Sequence, residues 1–179
     1  MTAGINRKLS LEQLAAIVAS ALQKAGISAV LSGGAVVSIY TNNAYQSVDL
    51  DFITAAGKRD LSKVMKTLGF AEDGSRHFRH PLSRFSVEFP AGPLMVGDEP
   101  VRDHAEKRSR FGVIRLLTPT DAVKDRLAAF FHWSDRQSLE QAVAIARDQP
   151  VKLAEIRRWS IAEGKPDGYA IFAARLKKR

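Results

Sequence analysis

The stretch Leu31-Ser-Gly-Gly-Ala-Val-Val-Ser-Ile-Tyr40, with Ser47-Val-Asp-Leu-Asp-Phe-Ile53 a few residues on, decides how this chain is read. Two glycines stand where a short apolar strand gives way to a helix-forming run. Glycine lets backbone come close to a ligand, and the amides at a helix start are free and electropositive, which is what a phosphate needs. In the second stretch, side chains of an extended chain alternate between faces. Asp49 and Asp51 therefore share one face, and Val48, Leu50 and Phe52 share the other. Two neighbouring carboxylates repel unless a cation lies between them, and a hard divalent ion such as Mg2+ or Mn2+ meets that need. The pattern predicts a triphosphate site with divalent ions.

Working outward, Ser10-Leu-Glu-Gln13 has the form of a capping box opening a helix, with Leu11, Leu14, Ala15, Val18 and Leu22 on one apolar face and Gly26 as its stop. Residues 28–32 read as a buried strand, 35–40 as the helix after the glycine turn, 48–54 as the acidic strand and 59–68 as a helix ending at Gly69. His77 to His80 and Arg84 to Phe89 read as two strands of a hairpin around Pro81. Pro90 to Pro100 reads as a loop rich in Gly and Pro. A short strand is expected over 113–117. Pro119 then begins a helical region, with helices near 121–133, 135–147, 151–162 and 168–177. The division expected is a core of residues 1–117 and a helical C-terminal region of 118–179 packed on it.

With 179 residues, 45% of them apolar and 26% charged, the chain has the composition of a globular protein rather than a disordered one. It contains no cysteine, which removes disulfides and thiolate metal sites. The first residues are polar and no apolar run approaches the length of a membrane span, so a cytoplasmic protein with no membrane partner is expected. The net charge of +8 admits two readings: attraction to a polyanion such as RNA, or a solvated surface with a basic tail at Lys177-Lys-Arg179.

The Gly33-Gly34 turn, Asp49-x-Asp51 and a third acid, Glu88 in Arg84-Phe-Ser-Val-Glu-Phe89, occur in an order that resembles the nucleotidyltransferase superfamily, the DNA polymerase beta-like fold. The phrase Gly-Gly-Ala-Val with Tyr40 and Tyr45-Gln-Ser-Val-Asp-Leu-Asp looks most like its AbiEii-like and minimal nucleotidyltransferase branch, many members of which belong to toxin–antitoxin systems. The resemblance covers about the first two-thirds of the chain. It implies an α/β (α+β) nucleotidyltransferase fold, a small mixed sheet flanked by helices with a helical C-terminal part. It also implies transfer of NMP from an NTP, ATP or CTP, to a hydroxyl of RNA, protein or a small molecule. Mg2+ or Mn2+ would be held by Asp49, Asp51 and Glu88, and a cognate antitoxin is an expected partner. Ser32, Gly33, Gly34, Ser38 and Lys124 would bind the nucleotide. Family members often place Ser or Thr after the second small residue of the turn, whereas this chain has Ala35. Asp135, downstream of Lys124, would orient a basic side chain near the site.

Each piece has a plainer meaning when taken alone. Asp-x-Asp can be a strand with one wet face, Gly-Gly a tight turn without ligand, and the Lys124 region an amphipathic helix with surface charge. Leu127, Phe130, Phe131 and Trp133 read as helix-packing residues. His77 and His80, three apart on a strand, point to opposite faces and do not make a shared metal site. His104 and His132 read as surface or packing residues. Three functions compete: an active nucleotidyltransferase, a non-catalytic nucleotide-binding or toxin–antitoxin module of the same fold, and a basic nucleic-acid-binding domain. The third leaves the glycine turn and the Asp pair without a role.

Overall fold

A computed structural model describes residues 4–178. Ser10 opens the first helix, α1 (Leu11–Lys24), through both halves of the capping box: its hydroxyl accepts from the Gln13 amide at 3.2 Å and its own amide donates to Gln13 Oε1 at 3.0 Å. Strand β1 (Val30–Ser32) then enters helix α2 (Gly33–Tyr40), which begins at the first glycine, two residues earlier than the sequence pattern predicts. Asn42 and Asn43, both in left-handed backbone, turn the chain back into β2 (Asp49–Ile53). Helix α3 (Lys58–Thr67) leads to the meander β3 (Ala71–Glu72), β4 (His77–Arg79) and β5 (Ser86–Glu88).

Two features of the next segment differ from the sequence reading. The Gly/Pro-rich stretch contains a small hairpin of its own, β6 (Met95–Val96) and β7 (Glu99–Pro100), turning at Gly97. Residues 105–109, Ala-Glu-Lys-Arg-Ser, form a strand, β8 (Ala105–Ser109), paired antiparallel with β9 (Gly112–Leu116). Pairing along the whole of β9 overrides the weak strand propensity of its charged side chains. Four helices follow: α4 (Pro119–Trp133), α5 (Arg136–Asp148), α6 (Leu153–Ala162) and α7 (Pro166–Lys177).

The fold is a mixed α/β arrangement in which seven strands form one sheet in the order β3-β4-β5-β2-β1-β9-β8. Four of its pairings are antiparallel, and β1–β9 and β2–β5 are parallel. Leu31, Leu50, Phe52, Phe78, Val87 and Phe89 are buried to within 1% and fill the core behind the acidic face. Val48, expected beside Leu50 and Phe52, precedes the strand and is 61% exposed. Trp133, expected to pack, is 82% exposed at the last turn of α4, while Phe131 stacks on Trp159 of α6 with ring centroids 5.7 Å apart. The helical part is tied back to the hairpin: Trp159 Nε1 donates to the Val96 carbonyl at 3.1 Å, and the Asp98 amide donates to Glu163 at 2.8 Å. No described helix is long and apolar enough to cross a membrane.

Candidate active site

The glycine turn and the acidic strand meet because β1 and β2 are antiparallel neighbours with Ser32 opposite Asp51. Gly33 has φ +67°, a left-handed conformation that glycine adopts without cost, and a Cβ built there would lie 2.6 Å from Asp51 Oδ2. A side chain at 33 would thus collide with the carboxylate the site is built around. Gly34 faces the Ser47 hydroxyl, 3.2 Å from where its Cβ would be. The Ser32 hydroxyl donates to the Asp51 carbonyl at 3.3 Å and makes no cap to the α2 amides, so the first turn of α2 has no side-chain cap. Ala35 is buried and brings no hydroxyl to the turn.

Ser38 has a different place. Its hydroxyl donates to the Gly34 carbonyl at 3.2 Å and accepts from the Ser47 amide at 2.9 Å. Ser47 in turn caps the start of β2, accepting from the Asp49 amide at 3.2 Å. Ser38 therefore fixes the link between glycine turn and acidic strand from behind, at 1% exposure.

Beside β2 on its other edge runs β5, parallel, with Asp51 opposite Glu88 and Asp49 opposite Ser86. This register brings all three carboxylates to one face, and the alternation around Glu88 buries Phe85, Val87 and Phe89 on the other. Asp49 accepts a hydrogen bond from the Ser86 hydroxyl, which holds its orientation. Burial, with the charges of Glu88 and Asp49 beside it, pushes the Asp51 carboxyl up to about 6. Desolvation contributes most and the neighbouring carboxylates add to it, and a bound cation relieves both.

The facing helix contributes a pair that sequence reasoning passed over. Asp125 and Arg126 of α4 are joined through Arg126 Nε and Asp125 Oδ2 at 3.0 Å, and their charges act on Asp51 from that side: Arg126 lowers its proton affinity and Asp125 raises it. A recess of about 200 Å³ runs from Ser32 and Asp125 to Pro93, Leu94 and Leu117. Lys124, one position earlier on the helix, is not in this group. Its ammonium is buried against Glu155 at 2.7 Å, Asp121 at 3.4 Å and Glu99 at 4.0 Å, where it joins α4, α6 and the β6–β7 hairpin. Successive residues of a helix point about 100° apart, so Lys124 and Asp125 face different sides of α4, and Lys124 borders a separate cavity of about 430 Å³ beside Glu99, Asp121 and Glu155. Asp135 caps α5, accepting from the Gln137 and Ser138 amides at 2.9 and 3.2 Å. The Ser138 hydroxyl, followed by these amides, holds its carboxyl below the ordinary range.

His77, set aside from sequence, also belongs to this face. The β4–β5 hairpin places it directly opposite Glu88, and atoms of Asp49, His77 and Glu88 lie within 4.8 Å of one another. The expectation that His77 and His80 diverge holds, since His80 packs its ring against Phe70 at a centroid distance of 5.2 Å. The signal for His77 was the turn: a hairpin closing between Leu82 and Ser83 sets residues equidistant from it side by side.

Neither a family model nor a curated protein matches the chain. Among solved structures, an antigenic nucleotidyltransferase-like protein from Paracoccidioides brasiliensis superposes with a TM-score of 0.60 at 12% identity, over 79% of this chain and 78% of that one. The antibiotic-resistance factor ANT(2'')-Ia aligns over 94% of this chain and 91% of its own at 14% identity, with a TM-score of 0.42. The first of these likenesses makes the fold nucleotidyltransferase-like.

The donor set fits a divalent metal ion. Three carboxylates from adjacent strands, one of them with its proton affinity raised by burial and then by its carboxylate neighbours, offer the hard anionic oxygens that Mg2+ or Mn2+ takes.

Proposed function

We propose that the protein is a nucleotidyltransferase that moves NMP from an NTP to a hydroxyl acceptor. The observation that carries this reading is the convergence of Asp49, Asp51 and Glu88 on two parallel neighbouring strands, beside a glycine turn that opens a helix, within a nucleotidyltransferase-like fold. Asp49 and Asp51 would hold the ions, with Glu88 completing the set. When bound, Mg2+ or Mn2+ supplies Lewis-acid stabilisation of the attacking and leaving oxygens. The chain's own residues do the rest. The α2 amides at Gly33 and Gly34 receive phosphate oxygens, and the positive charge of Arg126, whose field already reaches Asp51, offsets part of the negative charge. The acceptor hydroxyl forms a bond to the α-phosphorus, the bond to pyrophosphate breaks, and the hydroxyl proton passes to Glu88. The Glu88 side chain, 43% exposed, faces the solvent from which an acceptor arrives.

The acceptor class is open among RNA, protein and small-molecule hydroxyls. The net charge of +8 favours a polyanionic one. ATP or CTP as donor, an AbiEii-like place within the superfamily, and a cognate antitoxin as partner rest on the sequence resemblance around Gly33, Tyr45 and Asp49. With Ala35 lacking a hydroxyl and the Ser38 hydroxyl engaged by backbone, phosphate binding rests on amides, which favours modest affinity for free NTP. Incubation with each α-labelled NTP, Mg2+ or Mn2+ and a cell extract tests the reading. Labelling of a discrete acceptor, lost in Asp49→Asn, supports it. Nucleotide binding without transfer would make the chain a non-catalytic module of the same fold.

A further inference from the structure

Nucleotidyl transfer by three carboxylates leaves His77 without a role, yet its ring is placed as a metal ligand would be. Nδ1 lies 2.9 Å from the Asp73 carbonyl oxygen and 3.5 Å from Asp73 Oδ2, so a proton on Nδ1 has acceptors on the outer side. That tautomer turns the Nε2 lone pair inward, where it lies 3.5 Å from Glu88 Oε1. A backbone carbonyl behind the imidazole is the usual outer-shell partner of a ligating histidine. Two ligand atoms on one small dication are about 3 Å apart when adjacent and up to about 4.4 Å when opposite, so small side-chain rotations complete the approach. Asp49, His77 and Glu88 present one donor atom each within 4.8 Å of one another, close to that span. The side chain is 18% exposed, and Asp49 is itself oriented by Ser86.

We infer that Asp49, His77 and Glu88 form a mixed nitrogen–oxygen site that selects a first-row transition dication over Mg2+. The inference rests on reading Asp49 and Glu88 as ion-holding carboxylates, and adds to it that one position of the site is occupied by imidazole. Mg2+ gains little from a nitrogen donor, whereas affinity of the transition dications for such a donor is substantial and rises from Mn2+ toward Co2+ and beyond. His77 thereby sets which ion the site takes, and β4, which carries none of the three carboxylates, becomes part of the metal centre.

The test uses the full-length, metal-free protein and two readouts independent of turnover. Pulsed electron paramagnetic resonance on the Mn2+-loaded wild type should show coupling to a histidine nitrogen, and His77→Gln should lose it. Calorimetric titration should show Co2+ binding weakened roughly tenfold to a hundredfold in His77→Gln, with Mg2+ binding nearly unchanged. Mn2+ bound by the wild type without nitrogen coupling, or equal Co2+ affinity in the two proteins, would overturn the inference and leave nucleotidyl transfer standing. Failure of the wild type to bind any of these ions, with or without ATP, would overturn both.

Discussion

Asp51 is the residue on which the site's electrostatics turn. Its carboxyl, raised to about 6, binds a proton in the folded metal-free protein at pH values where the unfolded chain has released it. Between the ordinary carboxylate range near 4 and about 6, stability attributable to this group therefore falls as pH rises, and above 6 the full penalty is present. Asp51→Asn removes it. Denaturant titrations should find the variant more stable than wild type by about 1–2 kcal/mol at pH 7.5, after allowance for partial solvation, and equal to it near pH 4. A difference independent of pH would show that Asp51 is neither desolvated nor crowded by Glu88 and Asp49. Gly33 is the complementary case. Gly33→Ala places a methyl group against Asp51 in a left-handed conformation, so a loss of about 1–3 kcal/mol is expected, together with weakened binding of Mn2+ and NTP. Wild-type stability and binding in that variant would show that the turn and the carboxylate are not in contact.

At the scale of elements, the sequence revealed most where a local rule has one physical cause. The Ser10 capping box and the start of α4 at Pro119 follow from capping and the fixed backbone of proline, and they stand as read. What could not be read depended on partners far along the chain. Ala105–Ser109 is polar enough to pass for a loop or helix, and it is a strand because β9 pairs with it, its charges guarding an exposed sheet edge. His77 and Arg126 reach the acidic face through hairpin register and helix phase, which motif spacing does not encode. The same limit explains Lys124, whose burial between α4, α6 and the β6–β7 hairpin requires knowing that those elements meet. Lys124→Met should cost about 1–3 kcal/mol by removing the buried ammonium that Glu155, Asp121 and Glu99 share, with the partial exposure of those carboxylates moderating the loss, while NTP affinity stays within about twofold of wild type. Thermal unfolding and calorimetry on one preparation check this, and normal stability with lost nucleotide binding would return Lys124 to the donor site.

For the whole molecule, the order of motifs along the chain carried more information than any motif singly. A glycine turn, an Asp pair and a third acid become one site only if the strand after the turn is antiparallel to β1 and the third strand lies parallel beside it, and the sheet has that order. The acceptor and its recognition were not legible, because a donor site for triphosphate is the same whatever hydroxyl attacks. The central claim is that the bond broken lies between the α- and β-phosphorus of an NTP, and the position of the label reads it directly. Wild-type protein with Mn2+ and a cell extract should transfer radioactivity from α-labelled but not γ-labelled ATP or CTP, release pyrophosphate, and lose at least about a hundredfold in rate in Glu88→Gln, which keeps the fold. Transfer from the γ-label, or an undiminished rate in Glu88→Gln, would contradict the account.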